Sequence, residues 1–262
     1  MKTNIEILIP TFNKDLEEMR SIIKKANIFS DTIIRSQCGK TGVFEEIVNT
    51  FKVKYVFADD IGTSKNRNEL LKLSAKEFVM FVDDDLTFNN GCGEIIENDF
   101  LFNKKSDAIE YSLEFEGKEK NLFFKQYKKN SLLKTGNHGI ISIVFRRMRL
   151  IEINAEFDER FGPGTQCSCG EDTIFRHTYH KKLNDFITSS FVLGFVRNET
   201  STWFKGKNKK YFLDRSLVYG YNHPYLYWLF LIRMKLLNMR NKEIHLLDCL
   251  KEAKHGCEMR RH

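Results

Sequence analysis

Three consecutive aspartates, Asp83, Asp84 and Asp85, stand directly after the apolar run FVMFV. Neighbouring carboxylates repel one another, and a cation offsets that repulsion. Hard oxygen donors of this kind suit Mg2+ or Mn2+, ions that in turn grip a diphosphate. A solvated acidic turn, or a cap on the next helix, uses the same residue types; a position at the end of a parallel strand favours the cation. A second acidic pair, Glu171 and Asp172, closes the Gly- and Ser-containing segment FGPGTQCSCGED. At the mouth of a helix such carboxylates act as caps, and on an adjustable loop beside a substrate one of them acts as a general base. Cys167 and Cys169, with His177 and His180 downstream, are zinc-ligand types. Their C-x-C spacing fits two sulfurs into one tetrahedron less readily than C-x2-4-C does, so reduced thiols are the expectation.

The segments that must position these groups alternate between strand and helix. Residues 5–9, 32–35, 53–57 and 78–82 carry mostly continuous apolar runs, the pattern of strands buried on both faces. Residues 15–27, 42–51 and 63–75 place apolar side chains three and four apart, which predicts helices. The alternation implies an α/β fold: a mostly parallel sheet with right-handed crossovers and helices on both faces. Ligands of such sheets bind beyond the carboxyl ends of the strands, here residues 10–14, 36–40, 58–64 and 83–87. Further strands are expected at 108–115, 122–127, 139–145 and 186–196, with a helix over 171–182. After WFKGKNKK the remainder reads as helices with a break at Pro224, whose ring removes a donor and crowds the preceding turn.

Of 262 residues, 42% are hydrophobic and 29% charged, with 15 Gly and 3 Pro. That balance excludes disordered and collagen-like classes and gives one large domain, or one with an appendage. No apolar run approaches the roughly 20 residues of a membrane span. The N-terminal MKTNIEILIPTFNKD regains charge at Lys14 after a run too short for a signal-peptide core, so a cytoplasmic location is expected. In that compartment the six cysteines stay reduced. The net charge of +7 gathers at one end, because residues 205–262 hold 13 Lys and Arg against 5 Asp and Glu, or +8. There Tyr225, Tyr227, Trp228, Phe230 and Leu231 interleave with Arg233, Lys235 and Arg240. Aromatics with cations match a helix lying on an anionic membrane surface, peripheral to the inner face of the cell membrane. A helix packed on the main domain with a solvated basic edge would carry the same residues.

The segments ILIPTFNK, IGTSKNRNELL, FVMFVDDDLTF, GNHGIISIVFRR, INAEFDERFGPG and CGEDTIFRH occur in an order and spacing that resembles glycosyltransferase family 2, the inverting sugar-nucleotide transferases with the Rossmann-like GT-A fold. The resemblance runs over 5–182 and implies a catalytic domain at 1–204, with a nucleotide-sugar-binding half at 1–100 and an acceptor-binding half at 101–204, ahead of a basic helical region at 205–262. It implies that Asp83 and Asp85 form the metal-binding DxD pair for Mn2+ or Mg2+. It implies Asp172 as catalytic base, with Glu171 orienting the acceptor or supporting the loop. Pro10, Thr11 and Asn13 would line the nucleotide base, and Lys65, Arg67 and Asp84 would lie near the nucleotide.

Many members of that family end the second strand on an aspartate that contacts uracil. Ser36 and Gln37 stand there instead, and the Gln37 amide is the expected substitute. Many also carry a histidine after the last strand; the run here is VRNETSTWF, so His223 is the candidate metal ligand. The implied partners are a nucleotide-sugar donor, with uridine as the base, and a saccharide or lipid-linked saccharide acceptor in cell-surface glycan assembly. Two rival classes remain. A nucleotidyltransferase uses a similar sheet and acidic pair but opens with a Gly-rich basic loop, where this chain has PTFNKD. A basic nucleic-acid-binding protein is disfavoured by the near-neutral first 204 residues and the lack of a known binding motif.

Overall fold

The structure is a computed structural model that describes residues 3–117, 121–131, 139–197, 206–238, 241 and 244–260. The strands are β1 (Ile5–Phe12), β2 (Asp31–Gln37), β3 (Gly42–Val48), β4 (Phe51–Ala58), β5 (Phe78–Phe81), β6 (Leu86–Phe88), β7 (Ala108–Phe115), β8 (Lys128–Lys129), β9 (Ile143–Arg146) and β10 (Ile187–Val196). They form one sheet in the order β3-β4-β2-β1-β5-β9-β7-β10-β6, with β8 also on β10. β4, β2, β1 and β5 are mutually parallel, so their carboxyl ends open on one side of the sheet. β3, β9, β6 and β8 run antiparallel to their neighbours.

The helices are α1 (Leu16–Ala26), α2 (Thr63–Leu73), α3 (Cys92–Phe102), α4 (Arg147–Glu152), α5 (Glu171–Tyr179), α6 (Lys209–Asn222), α7 (Tyr227–Leu237) and α8 (Leu246–Met259). Alternation along β1 explains the layering: Ile5, Ile7 and Ile9 enter one core with Met19 and Ile23 of α1 and Ile96 and Phe100 of α3. Leu8 enters a second core with Leu70 and Leu71 of α2 and Phe175 and Tyr179 of α5. Helices thus cover both faces, as an apolar parallel sheet requires. Asp15 starts α1 with a reciprocal cap to Glu18, and Asn27 ends it in the left-handed region.

α6 and α8 cross so closely at Gly220 and Gly256 that a Cβ on either would meet the backbone of the facing helix. This helical region joins the rest through Leu217 and Val218, which pack on Phe161, Cys167, Cys169 and Ile174. α6 ends just before Pro224, as the sequence predicts. Two expectations fail. Residues 42–51 form β3 and a turn at Asn49 and Thr50, both at positive φ, rather than a helix. β-branched Val43, Ile47 and Val48 pair with β4 in an edge hairpin, which outweighs their helix-like spacing. Residues 122–127 make one bridge, Leu122 to Leu113, rather than a strand. The strand expected over 139–145 begins later, as β9. Gly136 to His138 of the GNHG segment, the NETSTWF stretch at 198–204 and Arg240 lie outside the described residues.

Candidate active site

The carboxyl ends of β1, β2, β4 and β5 bring most of the singled-out residues to one side of the sheet. Pro10 and Thr11 close β1, and Asn13 follows in the left-handed region with its N–H on the Gln37 carbonyl at 2.9 Å. The Thr11 hydroxyl donates to Asp84 at 2.9 Å and orients the middle carboxylate of the triplet. Gln37 is buried, and its amide nitrogen donates to Asp60 at 2.8 Å and to the Gly62 carbonyl at 3.2 Å. Its amide donors are thus engaged within the protein. Arg35 grips the same Asp60 with both guanidinium nitrogens, at 3.1 and 2.7 Å. Lys65 reaches Asp60 at 4.0 Å from the solvent side. Asp60 is therefore a candidate the sequence reading missed; its signal was the DD pair directly after β4.

Arg67 is the centre of the site. Its side chain is 4% exposed, and its guanidinium reaches Asp172 at 2.5 Å, Glu171 at 3.4 Å and Asp83 at 3.3 Å. One buried cation so links the aspartate triplet after β5 to the acidic pair that begins α5. Burial works against the Arg67 charge, and Asp172, Asp83 and Glu171 together outweigh it and raise its pKa. The loop before α5 is tied to α2 by Thr63 N–H to the Pro163 carbonyl at 3.0 Å and Ser64 hydroxyl to the Phe161 carbonyl at 2.6 Å. Glycines make room for the acids. A Cβ at Gly139 would stand 2.8 Å from one Asp172 oxygen, and one at Gly162 would lie 3.2 Å from Glu171.

Asp83 is 48% exposed. Its pKa is raised, first because the surrounding protein displaces bulk water and then because Asp172 and Asp84 repel its charge, with Arg67 opposing. Burial lifts Glu171 from 4.5 to about 7, Asp172 adding repulsion and Arg67 opposing. A carboxyl raised in the folded state contributes stability below its unfolded pKa and loses it as pH climbs through the folded one. Glu171→Gln has no such loss. It should match wild type near pH 4 and melt higher at pH 8, by on the order of 2 kcal/mol or about 5 °C. Thermal melts at the two pH values decide; an equal offset at both means that Glu171 titrates as an ordinary carboxylate.

The donor chemistry of the triplet fits a hard divalent cation. Asp83 is half exposed and Asp85 partly buried, and Mg2+ or Mn2+ is commonly held by one or two carboxylates plus phosphate oxygens. Asp85 is anchored by its backbone carbonyl, which accepts from Arg197 N–H at 3.0 Å. His223 does not join them. It stacks on Phe230 at 4.5 Å and meets His177 edge-on at 4.7 Å, because it caps α6 rather than the sheet. Among the described residues, three metal-ligand side chains converge elsewhere, at Cys167, Cys169 and Asp214.

No family model matches the sequence, and no curated protein does. Among solved structures, S. aureus TarS 1-349 in complex with UDP-GlcNAc superposes with a TM-score of 0.62 at 17% identity, over 84% of this chain and 66% of that one. TarS 1-349 alone matches over 100% of this chain and 74% of that one, with a TM-score of 0.60 and 17% identity. The fold is GT-A. The mannosyltransferase PcManGT from Pyrobaculum calidifontis, in complex with GDP-Man and Mn2+, shares it with a TM-score of 0.50 and 10% identity, over 99% of this chain and 75% of that one. In GT-A terms the acidic triplet lies past β5, next to the central strand β1, and the second acidic pair opens the helix facing it.

Proposed function

We propose that the chain is a metal-dependent, inverting glycosyltransferase that moves a sugar from a nucleoside-diphosphate sugar, with uridine as the base, to a saccharide hydroxyl. The observation that carries this reading is the Arg67 bridge, which sets the donor-side carboxylate Asp83 and the base candidate Asp172 on one guanidinium. Likeness in fold to TarS, solved with UDP-GlcNAc, supports the donor class.

Asp172 takes the proton of the acceptor hydroxyl, which attacks the anomeric carbon from the face opposite the diphosphate, and a single displacement inverts that centre. Arg67 holds one Asp172 oxygen and leaves the other directed toward Gly139. Glu171 supports the loop, and Thr11 fixes Asp84 at the donor side. Asp60, set by Arg35 and Gln37, stands with Lys65 where the base would lie. A divalent cation held by Asp83 and Asp85 would supply Lewis-acid stabilisation of the charge developing on the diphosphate. Thermal shift with nucleotides and sugar nucleotides, with and without Mn2+, tests the reading, since a ligand that binds only the native state raises its stability. A flat response to every uridine and guanosine diphosphate would sink it.

We further propose that the protein is cytoplasmic and peripheral on an anionic membrane, where it meets a lipid-linked acceptor. No described helix is long and apolar enough to cross a membrane. α7 buries Leu231 and Met234 and exposes Leu229, Ile232, Leu236, Leu237 and Trp228, the last 49% accessible. A contiguous apolar face beside Arg233 and Lys235 favours a surface of lipid and anionic headgroups. Trp228 fluorescence should shift to shorter wavelength on anionic vesicles and return with salt, since screening weakens the basic contacts. Charge reversal at Arg233, Lys235 and Arg240 should suppress the shift; emission that ignores the vesicles removes the membrane from the proposal.

A further inference from the structure

We propose that Cys167, Cys169 and Asp214 form a binding site for a soft divalent cation, Zn2+ by preference, separate from the aspartate triplet. One ligand atom from each lies within 4.8 Å of the other two, and all three residues are buried. A tetrahedral zinc ion with Zn–S bonds of about 2.3 Å holds its ligands roughly 4 Å apart, so modest rotation of the side chains closes the site. The C-x-C spacing serves here because the chain wraps around the carboxylate. Ser168, between the two cysteines, donates to one Asp214 oxygen with its N–H at 3.1 Å and its hydroxyl at 2.7 Å. The Cys167 carbonyl is fixed by Gly162 N–H at 2.9 Å and by the Thr165 hydroxyl at 2.9 Å. Both thiols are thereby turned toward α6, inside an apolar wall of Phe161, Ile174, Leu217 and Val218.

A cation already attends this carboxylate. Lys210 places its ammonium 2.9 and 3.0 Å from the two Asp214 oxygens, and its side chain is 58% exposed, so it can withdraw to water as a metal enters. Two thiolates and a carboxylate exceed the charge of one divalent ion by one, and nearby Arg215 offsets the excess beside Cys169. Two sulfur donors select zinc over Mg2+ or Mn2+, while the all-oxygen triplet selects the reverse. Water completes the fourth position. The bound ion would staple α6 to the loop that ends at Gly170, one residue before Glu171, and so hold the start of α5 in place.

The test needs neither donor nor acceptor and so stands or falls apart from the transfer reading. Protein stripped with a chelator and titrated with Co2+ should bind one equivalent with a sulfur-to-cobalt charge-transfer band, which oxygen ligands do not give. The Cys167→Ser/Cys169→Ser double variant should lose the band. Lys210→Met, which removes the competing ammonium, should keep it and bind several-fold more tightly. Thermal melts in chelator show whether the serine variant folds; if it does not, the comparison of Lys210→Met with wild type decides alone. Absence of a thiolate band in wild-type protein, or equal affinity in wild type and Lys210→Met, overturns the site and leaves the cysteines as packed thiols.

Discussion

Asp83→Ala and Asp85→Ala should each reduce transfer about 10³-fold or more and remove its response to divalent ions. The magnitude follows from the several kcal/mol that a cation contributes to diphosphate charge in the transition state. Asp83 is half exposed, and the chain around it is held by β5 and by Thr11 on Asp84, so folding should survive its loss. Removing Asp83 also deletes one of the three acidic partners of Arg67, while Asp172 at 2.5 Å and Glu171 at 3.4 Å remain. Transfer measured with and without EDTA separates metal from structure. Wild-type activity that persists undiminished in EDTA would take the metal out of the mechanism, and a variant whose melting temperature collapses would mark the loss as structural.

The parts of the fold that read from the sequence are those whose burial admits one periodicity. β1, β2 and β5 are covered on both sides, so their apolar runs have almost no solvent face to interrupt them. β3 lies at the sheet edge with Val43 and Ile47 exposed, and its apolar spacing satisfies a helix as well as a strand. The local sign of a turn was Asn49, a residue type that tolerates the positive φ it adopts beside Thr50. In the site, residues adjacent in the chain were legible: Asp83 to Asp85, and Glu171 with Asp172. What joins them was not. The resemblance places Arg67 near a nucleotide, and its reach to residues more than a hundred positions on exists only once α2 packs on the loop before α5. Asp60 was not legible for a similar reason, since Gln37 at one strand end donates to this carboxylate, which follows another strand. Asp214 entered the cysteine cluster from 45 positions beyond Cys169, a separation that no spacing rule reaches.

Asp172→Asn should leave donor binding intact and lower transfer by about 10² to 10⁴, the range for a lost general base. Asparagine keeps the size of the side chain and a carbonyl oxygen for Arg67, so the start of α5 and its ties to α2 should persist. What changes is the ability to take a proton, together with one charge facing Arg67, which retains Glu171 and Asp83. Burial, the main cause of the raised Glu171 pKa, remains, while loss of that charge removes the repulsion that adds to it, so the Glu171 carboxyl should fall somewhat from about 7 in the variant. The pH profile therefore carries two marks: the drop in rate at saturating acceptor, and a shift in the stability window that Glu171 sets. An unchanged rate at saturating acceptor would reassign the base, with Glu171 the next candidate on the same guanidinium. A lost rate with the Glu171 window unmoved would place the two acids further apart in solution than Arg67 holds them, and the bridge itself would then be in question.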